Sequence, residues 1–467
     1  MTDPVATPNL DPALERYLVD TAERRLESYK ALLRIPSISG IPAHAADCRK
    51  AAEFVAAELA AAGMEHVEVS ETGGHPVVYA DWLHAAGKPT VLVYAHYDVQ
   101  PGDPFDLWTS PPFEPIVENG KMLARGASDC KCHVSMHTRA IEALMATRKA
   151  LPVNLKIVFE GEEESSSLHL DDWLRANKAR LTADFAVISD TSFFEGNVPA
   201  VTIGLRGLTY FQLNVVGSDV DLHSGVYGGA VDNPINALCQ IVAALKGPDG
   251  VVRVPGFYDD VAPLTPADKK AFADLPWNDE EYRESIGVPA LHGEPGFTTL
   301  ERTGARPTLD VCGIWGGFEG EGPKTIIPAH AHAKISCRLV ANQDPEKVFG
   351  QVAAYIAAVA PKTIEYTIDR LGDGRPSLIA VDNAAAQAAG RALEATFGRA
   401  PLYVRDGGSV PVCDSIGTIL GQQVVLLGFA PADGHFHAPN EWMWMSNFET
   451  GIRTIARFWD EVANLPA

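Results

Sequence analysis

T-V-L-V-Y-A-H-Y-D-V, Thr90 to Val99, is a short unbroken apolar run that ends in an imidazole and a carboxylate. A strand that is apolar without alternation is buried on both faces, which is the habit of parallel sheets. Two more such runs follow. L-K-I-V-F (155–159) leads into E-G-E-E-E (160–164), and D-F-A-V-I-S (184–189) ends at Asp190. Between the first two, V-S-M-H-T-R-A-I-E-A-L-M (134–145) has helical periodicity. Strand, helix, strand with polar chemistry at the strand exits predicts an open, mostly parallel α/β sheet. Such sheets bind ligands outside the carboxyl ends of their strands.

Outward from this centre, residues 12–34 read as an amphipathic helix, with Leu14, Leu18, Ala22 and Leu26 on one face and Pro36 ending it. Residues 45–62 read as an Ala-rich helix closed by Gly63. V-E-V-S (67–70) and V-V-Y-A-D-W-L (77–83) alternate like strands. After about residue 205 the texture changes. L-T-Y-F-Q-L-N-V-V-G alternates, and a helix spans 233–246 with Pro234 in its first turn, where proline is tolerated. A Pro- and charge-rich stretch over 253–308 reads as surface loop with short helices. A strand over 331–340 and a helix over 345–360 complete a smaller α+β domain. Near residue 378 the chain returns, with a helix at 382–397, a strand at 423–428, a loop carrying His437 and a helix at 446–464. The expected division is a first domain from 1–205 and 376–467, with the α+β domain 206–375 inserted.

At 467 residues the chain is too long for one compact domain. Its composition, 46% hydrophobic and 21% charged, is that of a globular protein, and no apolar run approaches the ~20 residues of a membrane helix. A formal charge of -22 repels phosphate, so neither nucleic acid nor a membrane is an expected partner. M-T-D-P-V-A-T-P at the start lacks a basic region followed by an apolar core, so no secretory signal is expected. The 7 cysteines are odd in number and scattered, which is no disulfide framework and suits a reducing cytoplasm. Cys130-x-Cys132 offers two thiolates, but no second cysteine pair completes a four-ligand zinc site.

Metal-ligand residue types recur at the strand exits. His96 is a candidate imidazole ligand, and Asp98 can receive its other N–H and fix the tautomer. A buried histidine beside a capping Asp is the plainer alternative. Asp129 follows R-G-A-S, and its two oxygens can bridge two cations; alternatively it caps the helix beginning near 131. Glu162, Glu163 and Glu164 repel one another unless cations or water relieve them. One can bind metal while a neighbour serves as general base; a solvated acidic turn is the alternative. Asp190 and His437 complete the set. His96, Asp129, Glu164, Asp190 and His437 all fall at or near strand exits, and together they can hold two divalent metals ~3.5–4 Å apart. A metal-bridging water would then attack an amide carbonyl, with Glu163 taking its proton and passing it to the leaving nitrogen. Zinc is the expected metal, and manganese and cobalt suit the same ligands.

A-H-Y-D-V, A-R-G-A-S-D, E-G-E-E-E, I-S-D, D-L-H-S-G, G-G-S-V-P and H-A-P-N-E, in this order, resemble the di-zinc metallopeptidase family of carnosinase-type dipeptidases, aminoacylase and related deacylases. The dipeptidase branch is the most similar, through D-L-H-S-G-V-Y-G-G-A-V-D-N-P and S-C-R-L-V-A-N-Q-D-P. The resemblance implies two metal ions per subunit. His96 and Asp190 would hold one, Glu164 and His437 the other, with Asp129 between them. It implies Asp98 as the orienting carboxylate and Glu163, rather than Glu162, as the base. It implies that the inserted domain is a lid and homodimerisation domain, whose His223 reaches a partner's site. Arg338, Gly407, Gly408 and Ser409 would bind a substrate carboxylate, in a dipeptide or an N-acyl amino acid. Three departures stand out. Cys130 and Cys132 replace an acidic or Asn residue and a Gly, Ser166 replaces a Gly, and Phe436, Trp442 and Trp444 suggest an aromatic rim suited to a bulkier amide. A non-catalytic metal- or peptide-binding descendant is the alternative. No G-x-S-x-G elbow supports a serine hydrolase.

Overall fold

The computed structural model describes residues 10–408 and 410–466. They form two compact units. The first comprises the chain up to Ile203, Ile379–Val404 and the chain from Ser415 onward; the second comprises Gly204–Leu378 and Arg405–Asp414.

At the centre of the first unit lie four parallel strands, in the order Asn154–Glu160, Thr90–His96, Phe185–Ile188 and Gln423–Leu426. Val93 faces Ile157 on one side and Val187 on the other. Antiparallel strands flank this core: Val77–Trp82 and Glu65–Ser70 on one side, Ala200–Leu205 on the other. Parallel neighbours need a crossover, and helix Lys131–Arg148 supplies the one between Thr90–His96 and Asn154–Glu160. Every residue of that helix from Lys131 to Leu144 is buried, as expected for a helix enclosed on all sides. Ile141 and Leu144 join Val93, Ile157, Val187, Phe448 and Ile452 in one apolar core. Because the four strands run the same way, their carboxyl ends open on one edge, and the polar residues that follow them gather there.

The expected 12–34 helix is two helices, Pro12–Asp20 and Ala22–Leu33. They break at Thr21 (φ -105°, ψ 7°), whose hydroxyl donates back to the Tyr17 carbonyl at 2.6 Å.

In the second unit a four-stranded antiparallel sheet has the order Thr308–Gly316, His330–Leu339, Gly207–Val216, Glu365–Gly374. Gly207–Val216 alternates buried and half-buried along its whole length, and its inward Phe211, Leu213 and Val215 pack with helices Pro234–Leu245 and Pro345–Val359. Segment 405–414 also belongs to this unit, whereas the sequence expectation runs the first domain unbroken from 376 to 467. Long-range bonds hold it there: Arg405 pairs with Asp268 at 2.5 Å, and the Arg206 amide donates to the Gly408 carbonyl at 3.0 Å. Among the described residues, no helix is long and apolar enough to cross a membrane.

Candidate metal centre and active site

His96 is the last residue of its strand, and the Tyr97 amide continues the ladder by donating to the Glu160 carbonyl at 2.8 Å. That bond sets the E-G-E-E-E segment beside the H-Y-D segment. Gly161 is required between them, because a Cβ there would run into the Tyr97 hydroxyl. Glu163 and Glu164 sit in a short 3-10 turn, Glu163–Ser165. Ser166 follows in the left-handed region (φ 80°), a conformation that glycine adopts most readily. Asp190 lies two residues past its strand, Asp129 lies just before helix Lys131–Arg148, and His437 (φ 57°) sits on the loop after Gln423–Leu426.

These segments meet. His96 Nε2 lies 3.1 Å from one Asp129 oxygen and 3.5 Å from Asp190 Oδ1. The second Asp129 oxygen lies 3.0 Å from His437 Nε2, which is also 3.1 Å from Glu164 Oε2. Asp129 therefore offers one oxygen to each imidazole. Two sets of donor atoms lie within 4.8 Å of one another: His96, Cys130 and Asp190, and Asp129, Glu164 and His437. Imidazole and carboxylate donors so spaced fit divalent cations such as zinc, manganese or cobalt. The five expected ligands come together in the first unit, and Cys130, one of the two thiols weighed in the sequence, lies with them.

Asp98 is fully buried beside this cluster. His96 Nδ1 lies 3.2 Å from the Asp98 carbonyl and 3.3 Å from its carboxylate Oδ1, so the Asp98 backbone shares the orienting role expected of its side chain. With Nδ1–H so occupied, Nε2 is left as the ligand atom. The other Asp98 oxygen accepts from the Glu164 amide at 3.0 Å, and Gln100 Nε2 donates to Glu164 Oε2 at 2.8 Å. Glu162 turns away. It accepts from the His75 amide at 3.0 Å and approaches His169 Nδ1 at 3.0 Å, so the run of three carboxylates divides into one held by a loop and two at the cluster.

The electrostatics follow from crowding acids in a buried site. Burial and the negative charges of Asp190, Glu164 and Asp129 hold Glu163 well above the ordinary carboxylate range, against the opposing charge of His96. Burial and Asp129 also raise Glu164. Against the same burial, hydrogen bonds from His437 and His96 keep Asp129 low. His437 is pushed up to about 10 by its bonds to Asp129 and Glu164. Burial pushes the Cys130 thiol up as well. Cations would relieve each of these crowded acids.

Glu441 has no role in the sequence reading beyond its place in H-A-P-N-E, yet it organises the A-R-G-A-S-D loop. Fully buried, it accepts from Arg125 Nη1 (2.8 Å), Gly126 N (2.9 Å), Ser128 N (2.7 Å) and Asp129 N (3.0 Å). The expected aromatic rim is also different. Trp442 is buried, its indole donates to the Asp433 carbonyl at 3.0 Å, and Lys121 Nζ sits 3.4 Å from the centre of its ring. Trp444 packs edge-on against it, leaving Phe436 as the exposed ring of the three.

His223, Arg338, Gly407 and Gly408 lie in the second unit. Exposed His223 accepts the Gly225 amide on Nδ1 at 3.0 Å. Half-buried Arg338 belongs to strand His330–Leu339. Arg206, which the sequence reading passed over, is held at about 10 by burial and by the positive charge of Arg338, and its Nε donates to the Gly407 carbonyl at 3.0 Å. Arg338 and Gly407 therefore both neighbour Arg206. Ser409 lies outside the described residues.

A parallel-cored α/β unit with paired imidazole–carboxylate triads at its strand ends, carrying an inserted α+β unit, defines a two-domain protein fit for a pair of cations. The sequence matches Peptidase family M20/M25/M40 over residues 92–461. It is 34% identical to the Cys-Gly metallodipeptidase dug1 of Schizosaccharomyces pombe, across 92% of this chain and 94% of that protein. It is 33% identical to the Beta-Ala-His dipeptidase of Homo sapiens, across 84% of this chain and 78% of that one. Human carnosine dipeptidase 1 superposes with a TM-score of 0.85 at 30% identity, covering 98% of this chain and 100% of the other. The chain belongs to peptidase family M20/M25/M40, and its relatives place it in a dipeptidase branch.

Proposed function

We propose that this protein is a two-metal amidohydrolase that cleaves dipeptides carrying a free carboxylate. The observation that carries this reading is Asp129, with one oxygen 3.1 Å from His96 Nε2 and the other 3.0 Å from His437 Nε2. His96, Asp190 and Asp129 would hold one ion, and Asp129, Glu164 and His437 the other. Two bound cations would polarise the scissile carbonyl and make water acidic enough to attack near neutral pH. Zinc is the proposed metal, with manganese or cobalt able to replace it.

The chain's own residues supply the rest. Asp98 keeps His96 in the tautomer that presents Nε2. Glu163 accepts the proton of the attacking water and returns it to the departing amine nitrogen. Arg338, with Gly407, Gly408 and Ser409, would receive the substrate carboxylate. His223 would serve a partner subunit's site. Edge strand Thr308–Gly316, with exposed Val311, Ile314 and Trp315, supports homodimerisation through the second unit. The names of its relatives favour dipeptides over N-acyl amino acids. The free cysteines suit the cytoplasm.

The test is a panel of dipeptides and N-acyl amino acids offered to zinc-loaded protein and read by release of primary amine. Dipeptide cleavage that stops on chelation and returns with metal is expected. A metal-loaded protein that cleaves no member of the panel would refute the reading and leave a non-catalytic binding protein.

A further inference from the structure

We infer that Cys130 is a sulfur ligand on the His96–Asp190 side of the paired-cation site, so that the two halves of the centre differ in chemical softness. This rests on the two-metal reading. Cys130 Sγ shares a donor set with His96 and Asp190, whose ligand atoms all lie within 4.8 Å of one another. Its side chain is fully buried, and its thiol donates at 3.0 Å to the carbonyl of Ser189, the residue before Asp190. With Asp129 bridging, this side has four donors: one nitrogen, two oxygens and one sulfur. The Asp129–Glu164–His437 side has nitrogen and oxygen only.

A second observation points the same way. His133 Nε2 accepts the Phe429 amide N–H at 3.0 Å, so the neutral ring carries its proton on Nδ1. That Nδ1 faces Cys130 Sγ at 3.3 Å, nearer than Cys132 Sγ at 3.5 Å. An N–H aimed at sulfur supports a metal-bound thiolate, as outer hydrogen bonds do for metal ligands in general. Coordination exchanges the S–H bond for a sulfur–metal bond. The released proton passes to solvent, and the His133 N–H becomes the sulfur's hydrogen-bond donor.

Cys132 likewise donates to a carbonyl, that of Ser128 at 3.2 Å, and approaches His133 Nδ1 at 3.5 Å, but it belongs to neither donor set. The C-x-C pair is therefore one ligand and one packing residue. Thiolate selects zinc, cobalt or cadmium over manganese. The Cys130 half should be thiophilic, and the other half should accept harder cations.

The experiment uses full-length protein loaded with zinc or cobalt under anaerobic conditions, as wild type, Cys130→Ser and Cys132→Ser. Wild type and Cys132→Ser should show a near-ultraviolet sulfur-to-cobalt charge-transfer band and a zinc–sulfur shell at about 2.3 Å by X-ray absorption. Cys130→Ser should lose both, and its affinity for one zinc should fall about tenfold or more while manganese affinity changes little. Two bound metals with no sulfur signal in the wild type would overturn this inference and leave the two-metal reading standing. A sulfur signal that survives Cys130→Ser and disappears in Cys132→Ser would also overturn it. A wild-type protein that binds no metal would overturn both. The wild-type spectra decide the matter even where Cys130→Ser fails to fold.

Discussion

Glu441→Gln keeps the shape of a buried side chain while removing its charge and half its accepting capacity. The native carboxylate accepts from Arg125, Gly126, Ser128 and Asp129, two donors on each oxygen. A carboxamide has one oxygen, and its NH2 group must face the other two donors. Each lost bond to a charged acceptor is worth roughly 1.5–3 kcal/mol. Arg125, 1% exposed, also loses its counter-charge, and breaking one side of a buried ion pair costs roughly 3–5 kcal/mol. These terms describe overlapping losses, so the total expected is about 3–5 kcal/mol. In urea that is a midpoint lowered by about 1 M or more. The donors set free flank and include the amide of Asp129, so that residue also loses its anchor. Zinc affinity should fall about 10–100-fold, the usual result of removing an outer partner of a ligand. Urea unfolding and zinc competition against a chromophoric chelator, run on the same preparations, read the two effects. An unchanged midpoint together with unchanged zinc affinity would show that the loop does not depend on this charge.

Glu163→Gln should retain both metals and lose roughly two to four orders of magnitude in kcat; full turnover in that variant would remove the proposed base. Burial raises Glu160 to about 8 against the opposing bond from Tyr94, while an unfolded glutamate titrates near ~4.3. The folded chain thus keeps a proton that the unfolded chain gives up. This contribution to stability is present in full below pH ~4 and is lost as pH rises through about 8. Metal-free Glu160→Gln should therefore lose less stability than wild type across that window, and superimposable stability–pH curves would contradict the assignment. Mixing inactive His223→Ala subunits with inactive Glu163→Gln subunits should restore part of the activity; inactive heterodimers of proven composition would argue against His223 acting in a partner's site.

Much of the first unit is legible locally. Thr90–His96 and Asn154–Glu160 are buried along nearly their whole length, so their patterns are largely apolar runs, interrupted in the second by Lys156, that need no partner to be recognised. Thr308–Gly316 escaped because it is an edge strand, mostly exposed or half-buried, and it lacks a clear period of two. Glu365–Gly374 is likewise an edge, rich in charge and glycine. The break at Thr21 is a departure of one residue's φ and ψ from helical values that periodicity does not encode.

Residue types and their order along the chain were enough to nominate His96, Asp129, the Glu162–Glu164 run, Asp190 and His437, because metal chemistry restricts which side chains can serve, while the choice of Glu163 and Glu164 over Glu162 came from the family resemblance. Partnership was not available at that level. Glu441 and Arg125 are 316 positions apart and meet only in the fold. Glu162 parts from its neighbours because His75 and His169 happen to lie where they can catch it. Cys130 parts from Cys132 because one sulfur lies among the donor atoms of His96 and Asp190 while the other belongs to neither donor set. Strand and helix patterns report local burial and periodicity, so a linear chain displays them. Which buried polar groups satisfy one another depends on distances across the sheet, and only the folded chain determines those.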